Sequence, residues 1–240
     1  MKSPEKVKDH IVNWLKKYLT NSNQNGFIVG ISGGIDSALT STLCALTNYP
    51  VFVVEMPIHQ SESEVSRSKA HMKWLKKKYK NVKSITHSLT NVFESFKKEI
   101  ELHEKPNLLG LANTRARLRM TTLYYFASSF KCIVAGTGNK VEDFGVGFYT
   151  KYGDGGVDIS PIADCNKTQI WELGKELGIL KEIIEAAPTD GLWDDGRTDE
   201  GQLGLKYEEL EEAMTNPNSP NRAKYETIRK QNMHKMEPIP

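Results

Sequence analysis

The stretch FIVGISGGIDSALT, from Phe27 to Thr40, passes from an apolar run through glycines and serines into a segment with helical character. Glycines at a strand-to-helix turn leave backbone N–H groups free at the positive end of the helix dipole, which is chemistry for a phosphate. The dinucleotide pattern G-x-G-x-x-G fails, because Ser32 follows two residues after Gly30. The Walker pattern fails as well, since no lysine follows Gly34. What stands is S-G-G-x-D-S, a loop running through Gly30, Ile31, Ser32, Gly33, Gly34, Ile35, Asp36 and Ser37. Its serines and glycines suit a pyrophosphate, and Asp36 suits a Mg²⁺ ion held against it. The plainer alternative is an ordinary turn, with Gly33 and Gly34 chosen for unusual backbone angles and Asp36 stabilising the first helical turn.

The elements that must position this loop are legible as periodicity. Val7, Ile11, Leu15 and Leu19 recur every four residues after Ser3-Pro4, the pattern of an amphipathic helix. Short apolar runs at 27–31, 51–54, 82–86 and 131–135 are separated by helical patterns, one marked by Phe93, Phe96 and Ile100. Another, marked by Leu118, Leu123, Tyr124, Phe126 and Ala127, is longer and predicts a central packing element. Such alternation predicts an α/β fold: a Rossmann-like three-layer sandwich with a mostly parallel central sheet flanked by helices. Residues 136–161 are too rich in glycine for a regular element and read as working loop. Helices are expected from Lys167 to Leu177, near 207–214 and over 222–234, with an acidic, glycine-rich loop at 188–204.

Composition limits the alternatives. The 240 residues carry 32 Lys and Arg against 30 Asp and Glu, so the net charge of +2 offers no broad field for a nucleic-acid backbone. The length suits one domain over 1–240. No segment approaches a membrane span and the first residues lack the pattern of a secretory signal, so a cytoplasmic protein without membrane partners is expected. Cys44, Cys132 and Cys165 are odd in number and far apart, which predicts buried free thiols.

Several stretches extend the opening motif. S-G-G-x-D-S resembles the signature of the ATP pyrophosphatases, which cleave ATP to AMP and pyrophosphate. NTRARLRM (113–120), AGTGNKVE (135–142), TKYGDGGVDISP (150–161), PTDGLW (188–193) and the terminal His234-Lys235 follow in order. Together they resemble the ammonia-dependent NAD⁺ synthetases over nearly the whole chain, members of the adenine nucleotide alpha hydrolase-like fold. The resemblance implies ATP contacts at the turn residues and at Thr137, Lys167 and Thr189, and Mg²⁺ on Asp36 and Glu142. It implies deamido-NAD⁺ contacts at Arg117, Lys151, Asp158, His234 and Lys235. Asp36, Lys167 and Asp154 become the catalytic set, Lys167 countering charge on the leaving pyrophosphate and Asp154 taking a proton from ammonium. Taken alone, Glu142 reads as a surface glutamate, Asp154 as a turn residue, Lys167 as a solvent-facing helix start and Thr189 as a cap. Arg115, Arg117 and Arg119 alternate and cannot share one face, so at least one belongs to a solvated surface. Val141 and Met236 depart from the family pattern, Met236 standing where an arginine is usual.

The implied reaction is attack of the nicotinate carboxylate of deamido-NAD⁺ on the α-phosphorus of ATP, giving an acyl-adenylate, followed by displacement of AMP by ammonia. This is the last step of NAD⁺ biosynthesis. Segments 143–156 and 190–203 are natural lids for excluding water from the adenylate. No residues remain for a glutaminase domain, which predicts free ammonia as nitrogen donor, and family members are homodimers. Another ATP pyrophosphatase, such as a tRNA-modifying or GMP-forming amidotransferase, would need a basic surface or placed cysteines. A nucleotide sensor has little use for Asp36, Glu142 and Lys167 together.

Overall fold

The computed structural model describes residues 3–193 and 195–238. Helix α1 (Pro4–Ser22) begins with proline in its first turn, where a missing N–H costs nothing, and buries Ile11, Val12, Leu15 and Leu19. It hands over to β1 (Gly26–Gly30) through Asn23, which takes the left-handed conformation at the helix end. Next come α2 (Ile35–Ala45), β2 (Val51–Glu55), α3 (Glu62–Lys78) and β3 (Val82–Thr86). After them follow α4 (Thr90–Glu101), α5 (Leu108–Phe130) and β4 (Cys132–Val134).

Among the described residues these strands form one four-stranded sheet in the order β3-β2-β1-β4. Every pairing is parallel, with Phe27 opposite Val51 and Ile133, and Val51 opposite Val82. Phe27, Ile28 and Val29 have no exposed surface, because β1 is covered on both faces. One face packs Phe27 and Val29 against α1, α2, α3 and α6 (Lys167–Glu176), and Ile183 of the short α7 (Lys181–Ile184) joins them. The other face packs Ile28 and Val54 against Phe93 of α4 and Met120, Leu123 and Ala127 of α5. This is the expected three-layer sandwich. The sheet order reverses at β1, with β2 on one side and β4 on the other, so a crevice opens at the carboxyl ends of these strands.

A third apolar cluster stands apart from the sheet, joining Val141 and Val146 to α8 (Asp199–Leu203), α9 (Tyr207–Thr215) and α10 (Arg222–Met236). It corrects one expectation. The segment after β4 was to be irregular throughout, yet Lys140–Val146 coils into a π-helical turn. Asn139 caps that turn, accepting from the N–H groups of Val141 and Glu142 at 3.0 Å each. Two buried valines then pin it to the helices beyond. The last expected strand is shorter than its apolar run, and Ala135 pairs with Ile159 as an isolated bridge. Cys44, Cys132 and Cys165 are free and buried, as expected.

Candidate active site

The glycine turn leaves β1 and enters α2 with Gly34 as N-cap and no side-chain cap, so the first N–H groups of the helix stay available for an anion. Ser37 Oγ accepts from the Ser32 N–H at 3.2 Å and donates to the Gly34 carbonyl at 3.1 Å, which fixes the loop's curvature. Gly33 holds φ at +88°, and a Cβ there would stand 2.6 Å from the Glu64 carbonyl oxygen of α3. Its conformation and the close helix both require glycine.

Behind the turn sits a buried charge cluster. Lys167, at the start of α6, is 1 % exposed. Its Nζ donates to Asp36 Oδ2 at 2.6 Å and to Glu142 Oε1 at 2.9 Å. Gln169 accepts from the Asn166 N–H at 2.9 Å, capping α6 where Lys167 leaves it. Asn139 donates to Asp36 Oδ1 at 3.1 Å, linking the π-helical turn to the glycine turn. The Tyr207 hydroxyl donates to Glu142 Oε1 at 2.5 Å and lies 3.3 Å from Asp199 Oδ2. Burial is the largest influence on all three charged groups. At Lys167 it is overcome by Asp36 and Glu142, which hold the ammonium protonated. At Glu142 it is overcome by Lys167 and Tyr207, so the carboxyl lies below the usual range, whereas Asp36 stays raised. Asp199 is pushed up to about 7 by burial and then by Glu142.

A cavity of about 230 Å³ opens in front of this cluster at the sheet's carboxyl edge. Its walls include Gly30, Ile31, Ser32, Gly34, Ile35, Asp36 and Ser37 from the turn, with Thr137, Glu142, Asp154, Lys167 and Thr189 from four later segments. The expected nucleotide and metal residues, Gly33 apart, therefore meet at one place. Thr189 donates to Glu64 Oε1 at 3.0 Å, tying the acidic loop to α3. Asp154 accepts from the Thr150 N–H at 3.0 Å. The protein packed around its carboxyl raises its pKa to about 6, although the residue keeps a surface on solvent.

The residues expected to hold deamido-NAD⁺ lie outside this cavity. Arg117 is exposed on α5 and donates to the Lys151 carbonyl at 3.2 Å. Lys151 donates to the His234 carbonyl at 3.0 Å, and Lys235 to that of Tyr149 at 2.8 Å. These four thus form one surface group, joined through backbone oxygens to the end of α10. Asp158 stands apart at β4, accepting from Tyr124 at 2.9 Å and from the Val134 N–H at 2.8 Å.

Residues to which the sequence reading assigned no role complete the site. Arg119 enters it from α5, donating through Nε to the Met56 carbonyl at 3.2 Å and through Nη2 to Gln60 Oε1 at 2.6 Å. A usable signal was present: Arg115 and Arg119 are four apart and share a helix face, and Arg117 cannot join them. Asn139 lies within the stretch 135–142 with no role assigned to it, and for Tyr207 and Asp199 no sequence pattern gives a pointer.

Asp36 and Glu142 are hard oxygen donors that converge on one cation, here the Lys167 ammonium, which is the donor chemistry that suits Mg²⁺. Among the described residues no group of three or more His, Cys, Asp or Glu side chains is arranged to hold a metal ion. A Mg²⁺ on these carboxylates would draw its other ligands from phosphate and water, as that ion commonly does.

Comparison with known proteins bears on what such a cavity serves. The NAD synthase family model matches residues 7–238. An NH(3)-dependent NAD(+) synthetase of Carboxydothermus hydrogenoformans is 39% identical over 212 residues, 86% of this chain and 84% of that one. Among solved structures, the NMN synthetase of Francisella tularensis superposes with a TM-score of 0.90 at 31% identity, covering 99% of this chain and 98% of that one. The NH3-dependent NAD synthetase of Campylobacter jejuni superposes with a TM-score of 0.80 at 25% identity, over 99% and 98% of the two chains.

Proposed function

Because the chain belongs to the NAD synthase family, we propose that the cavity at the glycine turn is where that family's chemistry takes place, with the residue roles set out below. The reaction is the ATP-dependent amidation of deamido-NAD⁺ to NAD⁺, and the enzyme is an NAD⁺ synthase. The observation that carries the assignment of the site is the convergence of the turn, Asp36, Glu142 and Lys167 on one cavity.

Each group has a task that follows from its surroundings. The free N–H groups at the start of α2, with Ser32 and Ser37, hold the leaving pyrophosphate of ATP. Lys167, kept protonated by two carboxylates, supplies fixed positive charge as that leaving group departs. Asp36 and Glu142 are the residues that would hold Mg²⁺, which when bound neutralises phosphate oxygens. Thr137 and Thr189 contact ATP from the far walls. Asp154, with its carboxyl near 6, is ionised at neutral pH and takes a proton from ammonium, releasing the ammonia that attacks the activated acyl group. Closing the acidic loop over the cavity excludes the water that would otherwise hydrolyse the adenylate.

In this reading ammonia serves directly as nitrogen donor, and residues 1–240 act as one synthetase domain. Arg117, Lys151, Asp158, His234 and Lys235 hold the remote half of the dinucleotide. The exposed side chains of Leu102, Leu108, Leu109 and Tyr125 are 60–76 % accessible and offer α4 and α5 as a surface for a homodimer. Sedimentation of the pure protein tests that. No described helix is long and apolar enough to cross a membrane, and we place the enzyme in the cytoplasm.

One observation favours a second reading of the acid substrate. The Francisella NMN synthetase superposes with a TM-score of 0.90 at 31% identity, against 0.80 at 25% for the Campylobacter NAD synthetase, which makes nicotinate mononucleotide a candidate substrate here. The group that would grip a dinucleotide's far end lies outside the cavity, so the cavity itself sets no demand for the second nucleotide. A single assay tests both readings. Protein, ATP, Mg²⁺ and ammonia are mixed with deamido-NAD⁺ or with nicotinate mononucleotide, and kcat/KM is compared. AMP and pyrophosphate must appear with the amide, and ADP in their place would overturn the assignment. A tenfold or greater advantage for one acid decides between the two.

A further inference from the structure

Arg119 has no part in the roles above, yet its surroundings are those of an anion site. Its guanidinium reaches the cavity from α5, and its hydrogen bonds to the Met56 carbonyl and the Gln60 amide oxygen go to neutral groups. Among the described residues it forms no ion pair with a carboxylate. Burial, followed by the neighbouring charge of Arg115, lowers its pKa to about 10, which leaves it charged at neutral pH. The charges of Glu64, Asp154 and Asp190 act on it without a direct ion pair, and a half-buried cation whose hydrogen bonds go to neutral oxygens gains when an anion binds it directly.

Its place in the cavity says which anion. The glycine turn and Lys167 stand on one wall and account for the pyrophosphate. Arg119 stands on α5, bonded to the backbone of Met56 and next to Met120, and these two with Leu123 and Ile31 form the apolar lining suited to a nucleobase. A nucleotide whose base lies on that lining and whose pyrophosphate end lies on the turn carries its α-phosphoryl group between the two walls. We propose that Arg119 is a catalytic residue that binds the α-phosphoryl group of ATP and keeps hold of it in the acyl-adenylate and in AMP. In the first step a carboxylate oxygen of the acid bonds to the α-phosphorus as the bond from that phosphorus to the bridging oxygen breaks, and pyrophosphate leaves with the electron pair. Negative charge builds on the α-phosphoryl oxygens during that exchange, and a planar guanidinium is suited to two of them at once.

The inference rests on the proposed reaction, and the test separates the two. AMP and adenosine are titrated calorimetrically into the wild-type protein and into Arg119→Gln and Arg119→Lys. The wild type is expected to bind AMP at least about tenfold more tightly than adenosine, as charge-assisted hydrogen bonds to a phosphate do. Arg119→Gln should lose that preference and bind adenosine as before. Arg119→Lys keeps the charge without the fork, guards against a variant that does not fold, and should keep part of the preference. Equal loss of both ligands, or an AMP preference that survives Arg119→Gln, would overturn the role. Binding of neither ligand by the wild type would overturn the assignment of the cavity to ATP, and this proposal with it.

Discussion

Replacing Lys167 by methionine separates the two tasks of the charge cluster, because methionine fills the volume of the stem and removes the ammonium. The lysine side chain is 2 % exposed, and its partners Asp36 and Glu142 are 17 % and 15 % exposed. Removing one member of a buried ion pair costs about 3–5 kcal/mol, since the remaining charges lose their compensation. With a denaturant slope of about 2 kcal/mol per molar urea, the unfolding midpoint falls by about 2 M. Two carboxylates left facing each other then form an open cation site. Mg²⁺ at ten times its dissociation constant returns about 1.4 kcal/mol to the variant. Acidity gives a second reading with a definite sign. Unpaired buried carboxylates have folded pKa values above their unfolded ones, so the penalty is absent at low pH and grows as pH rises through the folded value. The gap between variant and wild type therefore narrows from pH 7 to pH 5. Urea melts at both pH values, with and without Mg²⁺, check this. A midpoint shift under about 0.5 M, or no protection of the variant by Mg²⁺, would refute the reading of these carboxylates as a cation site.

Other consequences can be checked alongside. Asp36→Asn should fold with a loss of about 1–3 kcal/mol and should lose most Mg²⁺-dependent turnover; near-normal turnover would remove Asp36 from the metal site. Gly33→Ala must leave the positive-φ region and push against the Glu64 carbonyl, so pyrophosphate affinity falls at least about tenfold; unchanged product inhibition by pyrophosphate contradicts the turn's role. If Asp154 deprotonates ammonium, kcat rises with pH through about 6 and levels off, and Asp154→Asn removes that limb; a profile unchanged by the substitution assigns the proton transfer elsewhere. Limited proteolysis within 190–203 should slow when ATP and the acid are present together, and an unaltered rate would end the idea of a lid.

The fold was legible because its signals are local. An i, i+4 apolar repeat wrote out α1, and continuous apolar runs wrote out β1 and β2, whose two covered faces leave no place for alternation. The glycine turn was legible for the same reason, since Gly33 answers a backbone demand at its own position. The π-helical turn was not, because the valines that hold it find their partners more than fifty residues away in α8, α9 and α10. The same distance hid Tyr207, whose hydroxyl matters only because Glu142 happens to lie beneath it. Lys167 shows the border between the two cases. Its sequence position reads as a helix start facing solvent, and resemblance alone put it in the site, where the structure finds it almost wholly buried.

The link between Asp36 and Lys167 spans 131 positions in the chain, and that order bears on how the protein is made. A ribosome that has released residue 142 has supplied both carboxylates and has not yet supplied the lysine. Burying two uncompensated negative charges is costly, so the segment carrying Glu142 has reason to stay hydrated above the completed β1–α2 turn. Once α6 emerges, one side chain reverses that balance and draws the late segment down. The two carboxylates can thus be buried together only after α6 has emerged, while Thr189 and Asp199 of the cavity wall are still to come.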